Sequence, residues 1–252
     1  MSTNPPSHIV RPAGAGFTLV EVAIVLLIIG FVATAGLVAV QAQADNQQVR
    51  DNQRLLEDAR EALIGFAASH PGSDAGAGPF LPCPDKTGAA GAGTANDGQE
   101  DRITPVGTCV ALEGNLPWVT LGLAESTDRW GYHLRYQVSA PFSNGATGMT
   151  LLSTGGITIF DAATGGTTLA GEVPAVILSH GKNGLGAITT AGVPQPTTGA
   201  GADELENTDG DTTFVSHSRT EAGAAGGAFD DQVVWLSRNI LFNRMLQAGR
   251  LP

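Results

Sequence analysis

The sequence predicts an α+β fold: one long N-terminal helix packed on an antiparallel β-sheet head with long loops. Three observations carry this. Residues 17–70 contain no proline, and apolar residues run through them first as an unbroken block and then as a stripe. Downstream, short patches alternate polar and apolar with period two, the pattern of half-buried strands. Between those patches fall most of the 34 glycines and 14 prolines, which punctuate turns and loops.

The first element begins at Phe17. Residues 22–40 read VAIVLLIIGFVATAGLVAV, 19 residues without a charge. As a helix they span about 28 Å, close to the ~30 Å hydrocarbon core of a bilayer. Glu21 is the only charge between Phe17 and Val40. A secretory signal peptide has a shorter apolar stretch and a small-residue cut site behind it; this run is longer and flows into a helical pattern. A plain single-pass anchor leaves Glu21 without a partner, although a carboxylate in an apolar span costs about 2.5–3.5 kcal/mol on insertion scales.

The string Gly16-Phe17-Thr18-Leu19-Val20-Glu21 resembles the processing site of type IV prepilins. The resemblance implies a leader over residues 1–16, cleavage after Gly16 by a membrane prepilin peptidase and N-methylation of Phe17. Arg11 and His8 stand further from the glycine than the basic residues of many such leaders, and Gly14 is the alternative cut. Cleavage would free an α-amine with an ordinary pKa near 8, cationic at neutral pH. Glu21, four residues on, shares its helix face. In the family this glutamate pairs with the amine of a neighbouring subunit and so drives assembly.

Beyond Val40 the chain turns polar, and an apolar stripe returns at Val49, Leu56, Ala59, Leu63 and Phe66, with Leu55 and Ile64 alongside. Those spacings suit one face of an amphipathic helix. Pro71 and Gly72 stop it. The domains follow: leader 1–16, transmembrane or filament-core helix 17–40, amphipathic continuation 41–70, head 71–252. No heptad is sustained long enough for a coiled coil.

In the head, residues 73–99 read as loop. Strands are expected at 132–138, 149–153, 157–160, 175–179 and 233–236, with a short amphipathic helix over 238–247. Cys83 and Cys109 are an even, sparse pair, which fits one disulfide outside the cytoplasm or two buried thiols. No CxxC or paired His accompanies them, against zinc. Trp118, Trp130 and Trp235 are expected to serve packing.

Three patches extend the resemblance to the major pseudopilins of type II secretion. Asp128-Arg129-Trp130-Gly131 with Tyr136 is similar to their Asp-Pro-Trp-Gly…Tyr element. Residues Ser179 to Gly184 are similar to a Ser-x-Gly-x-Asp-Gly turn, and Phe229 to Trp235 to a closing Asp-Ile…Trp segment. Those proteins bind calcium late in the head. Here Asp203, Glu204, Glu206, Asp209 and Asp211 cluster, followed by Asp230 and Asp231. Calcium takes six to eight oxygens, and the expectation is a shared ion at Glu204, Glu206 and Asp230 or Asp231. The alternative is a solvated acidic loop, since the spacing is no EF-hand.

Charge narrows the partners. The chain has 24 acidic and 13 basic residues, net −11, so nucleic acid is not expected. No GxSxG, HExxH, Walker A or strand-borne GxGxxG occurs, and the five histidines are scattered, His180 in a turn where a solvated ring is expected. The prediction is a non-enzymatic filament subunit. Its expected partners are other pilin or pseudopilin subunits, prepilin peptidase, an inner-membrane assembly platform and membrane lipid, with the head in the periplasm or on an extracellular filament. Pseudopilin, minor type IV pilin and DNA-uptake pilin remain open, as does a membrane-anchored periplasmic binding domain that never polymerises.

Overall fold

The computed structural model describes residues 16, 18–74, 76–124 and 127–251, and for 33–40 and 42 the backbone alone. The leader residues 1–15 and Phe17 lie outside the described residues. The chain forms two units, one ending at Gln48 and one beginning at Val49. Helix α1 (Leu19–Ser69) contributes to both.

In the first unit, the side chains described over 19–32 are exposed and, Glu21 apart, without charge: Leu19 is 87% exposed, Phe31 71% and Val32 67%. Among the described residues no helix is long and apolar enough to cross a membrane. The side chains at 33–40, the second half of the predicted span, lie outside the described residues.

In the second unit, α1 buries the predicted stripe: Leu55, Leu56, Ala59, Leu63, Ile64 and Phe66, with Ala67 added. Val49, the first residue of the predicted stripe, is exposed. The helix ends at Ser69, just before the expected stop at Pro71 and Gly72.

The elements that follow are β1 (Glu113–Asn115), α2 (Trp118–Leu121), β2 (Tyr132–His133), β3 (Arg135–Val138), α3 (Ala140–Ser143), β4 (Ile157–Phe160), β5 (Thr168–Val173), β6 (Ala175–Ser179), β7 (Ile188–Thr189), α4 (Ala202–Glu206), β8 (Thr213–Val215), β9 (Gln232–Leu236) and α5 (Arg238–Gln247). A four-stranded antiparallel sheet has the order β1-β3-β6-β9. Side chains alternate across it. Tyr136, Val138, Ala175, Ile177, Val234 and Leu236 join α1 and α5 in one core. Val176, Leu178 and Val233 face the other way.

That second face is covered by a three-stranded sheet, β5-β4-β8, through Ile157, Ile159, Val173 and Phe214. The head is therefore helix, sheet, sheet, rather than one helix on one sheet. Its added sheet also carries a parallel pair, β4 with β8. The expected all-antiparallel sheet is corrected in that respect.

Two strand expectations change. Residues 132–138 do not form one strand: the ladder breaks at Leu134, so β2 pairs with β7 while β3 pairs with β1 and β6. Residues 149–153 are a turn. Ser153 Oγ accepts the Thr150 N–H (3.0 Å) and the Ser153 N–H donates to the Thr150 carbonyl (3.0 Å), a local competitor to strand pairing.

The described residues of 73–99 lack helix and strand, as expected, yet they are held firmly. Asp85 is fully buried and accepts the N–H groups of Asn96 and Gly98 (2.8 Å each). Lys86 N–H donates to buried Asp101 (2.8 Å). Cys83 and Cys109 form a disulfide, both buried.

Candidate functional site

Two sites emerge, one at the start of α1 and one in the head. At the first, Thr18 and Glu21 form a capping box. The Glu21 N–H donates to Thr18 Oγ1 (3.3 Å), and Glu21 Oε2 accepts the Thr18 N–H (3.4 Å) and hydroxyl (3.3 Å). This satisfies free donors at the helix start and places a carboxylate at the positive end of the dipole. The T-x-x-E spacing is its signature in the sequence. Glu21 is exposed, as are the apolar residues around it.

The head site gathers the three patches that are remote in sequence. Asp128, buried, accepts the N–H groups of Trp130 (3.0 Å) and Tyr132 (2.9 Å) and the hydroxyl of Ser179 (2.6 Å). Burial pushes its carboxyl above the usual range. Asp230 Oδ2 accepts the N–H groups of Lys182 (3.0 Å) and Asn183 (3.1 Å). Glu204 Oε1 then accepts from Asn183 Nδ2 (2.7 Å) and from the Asp230 N–H (3.1 Å). Patch 128–132 thus meets patch 179–184, and that patch meets 229–235 and α4.

Glu204, Asp230 and Asp231 each offer a carboxylate oxygen, and these lie within 4.8 Å of one another. Each carboxylate is anchored through one oxygen, that of Asp231 by accepting from Asn207 Nδ2 (2.8 Å). Glu204 Oε2 and Asp230 Oδ1 are buried and find no hydrogen-bond partner among the described residues. Glu204 is only 1% exposed. Burial raises the pKa of both Glu204 and Asp230, and the neighbouring Asp231 raises each further. Orphaned, crowded carboxylate oxygens fit a hard cation.

Glu206 does not join this group, a correction to the predicted set. It groups with Asp209 and Asp211 on the surface. The reason is helical: 203–206 fold into α4, and residues two apart do not share a helix face. His180 is a second correction. It is buried at 1% exposure, with Nδ1 3.8 Å from Asp231 Oδ1, rather than solvated. Trp118 stacks on His133 (centroids 5.0 Å apart) and Trp235 packs against the second core, both packing roles as expected.

Residues 11–37 match the family model for the prokaryotic N-terminal methylation motif. No curated protein and no solved structure matches the chain significantly. The motif supports a type IV pilin-like protein that a prepilin peptidase processes and that assembles with other pilin subunits.

Proposed function

We propose that the chain is a structural subunit of a type IV-like filament, most similar to a type II secretion pseudopilin. It is cut after Gly16, methylated on Phe17 and assembled through its N-terminal helix from the inner membrane. One observation carries this reading: a methylation motif at 11–37 overlaps the start of a helix whose described side chains over 19–32 are exposed and, Glu21 apart, without charge. Such a surface wants lipid before assembly and neighbouring helices after it. In the filament, Glu21 exchanges its local cap for the new α-amine of a neighbour. Two poorly solvated charges set the axial register. The convergence of the three head patches at Asp128, Ser179 and Asp230 favours the pseudopilin reading over a minor pilin or DNA-uptake pilin.

Mass spectrometry of the protein from cells tests the processing. The expected product lacks 16 residues and carries one added methyl on Phe17; an intact N-terminus rejects the filament reading in favour of a membrane-anchored periplasmic domain. For the head we propose calcium at Glu204, Asp230 and Asp231, with backbone carbonyls and water completing the shell. The ion would tie α4 to the turn at 180–184. Calorimetry with calcium and then EDTA tests it, and no heat and no change in melting temperature would reject the site.

A further inference from the structure

A pocket of about 280 Å³ lies where β1, β2, β3 and β7 meet the turn after β6, and Glu113, Asn115, His133, Arg135, His180 and Ile188 line it. None of Glu204, Asp230 and Asp231 lines it, so it is separate from the proposed cation site. Its walls are borne on strands. Asn115 and Arg135 face each other across β1 and β3, and His133 and Ile188 across β2 and β7. Cross-strand partners share a face of their sheet, so each pair points the same way. His133 is buried and stacked on Trp118, ring centroids 5.0 Å apart. Arg135 is ion-paired with Glu113. Side chains held in this way lose little freedom when a ligand arrives.

One wall residue has no structural use for its polar atoms. His180 is 1% exposed, and neither ring nitrogen makes a hydrogen bond. Asp231 Oδ1 stands 3.8 Å from its Nδ1, beyond hydrogen-bond reach. Arg135 Nε is likewise buried without a hydrogen bond. Buried polar atoms are nearly always bonded, and the exceptions mark places that a ligand or water completes. The lining also selects the kind of ligand. An apolar one would leave those nitrogens unmet, and among the described residues Ile188 is the one apolar side chain of the lining. A cation would have to compete with Arg135 for Glu113. An anion would meet Asp231 behind His180, in a chain of net charge −11. What remains is a neutral ligand that both donates and accepts, and a hydroxyl does both. The space equals about nine waters at the ~30 Å³ each takes in the liquid, room for a single sugar ring. We propose that the pocket binds one neutral sugar ring, its hydroxyls bonded to His180 and accepting from Arg135 Nε–H. Such a site gives the head a recognition role, whether or not the chain polymerises.

The test uses the full chain, purified in a detergent without a sugar headgroup and kept in EDTA. It is titrated with methyl glycosides of glucose, galactose, mannose and N-acetylglucosamine. Saturation-transfer NMR should show saturable binding of at least one of them. Glucosamine and glucuronic acid, the charged counterparts, should bind at least tenfold more weakly. His180→Phe keeps a ring and removes both nitrogens. It should lower affinity at least tenfold without lowering the melting temperature, because the folded chain loses no hydrogen bond. Thr87 also lines the pocket and is exposed. Thr87→Trp should therefore block entry with the fold intact, and it decides the outcome if His180→Phe does not fold. The absence of saturable transfer from every glycoside overturns the inference, as does binding that both variants leave unchanged. Glucuronic acid or glucosamine binding as tightly as the neutral glycosides, or more tightly, overturns it too.

Discussion

At the residue scale, buried carboxylates set how the head responds to pH. Asp85 is fully buried, and desolvation pushes its pKa from 3.8 up to about 6, against two backbone N–H donors that favour the ionised form. Its folded pKa lies above its unfolded one, so the folded head binds more protons. That stabilisation is complete below about pH 3.8 and is lost as the pH rises through about 6. The bound for this one group is about 3 kcal/mol. Asp101, Asp128, Glu204 and Asp230 shift the same way. The head should therefore melt at a higher temperature at pH 5.5 than at pH 7.5 in EDTA, and Asp85→Asn should flatten the difference. A melting temperature that falls on mild acidification would contradict this. At the proposed site bound calcium would reverse the logic locally, since a cation favours ionised Glu204. Glu204→Gln should remove the calcium-dependent rise in melting temperature, while Glu206→Gln should leave it in place. Thermal scans with and without calcium separate the two.

At the scale of elements, α1 and the loop that follows it show two kinds of specification. α1 is written in spacing: Leu56, Ala59, Leu63 and Phe66 recur at helical intervals, and all are buried. Leu63→Ala, at a fully buried site, should cost about 2–5 kcal/mol in denaturant unfolding. The start of α1 was legible too, through Thr18 and Glu21; Thr18→Ala should cost the helix about 1 kcal/mol. The loop is held instead by long-range tethers. Removing the disulfide with Cys83→Ser and Cys109→Ser should cost about 3.5 kcal/mol in the chain-entropy model. Gly148 illustrates a tether without a side chain. Its φ is +65°, and a Cβ there would stand 1.9 Å from the Gly78 carbonyl oxygen. Gly148→Ala should therefore prevent recovery of folded head at 37 °C.

At the scale of the whole molecule, the reading is a subunit with an apolar helix for polymerisation and an acidic, disulfide-braced head. Glu21→Ala should still be inserted and processed but should fail to assemble, as measured by filament yield in sheared fractions. Normal assembly of that variant would refute the role given to Glu21. The strands at 157–160, 175–179 and 233–236 and the helix over 238–247 were legible, because each is a short run with a clear period of its own. Strands β1, β5, β7 and β8 were not. β5 is largely exposed, and Gly171 lies within it. β7 spans two residues. Such segments take their conformation from a partner strand rather than from their own side chains.

The sequence by itself determined the long helix, its buried stripe, the motif at its start and the acidic character of the head. These are local or periodic properties, readable wherever cause and effect lie within a few helical turns. Only the tertiary structure decided that a second sheet covers the first, that Glu204 meets Asp230 and Asp231 while Glu206 turns away, and that Glu113, His133 and His180 line one pocket. Each of those depends on closing loops between residues tens of positions apart, and the free energy that closes them comes from burial and hydrogen bonds that no local pattern records.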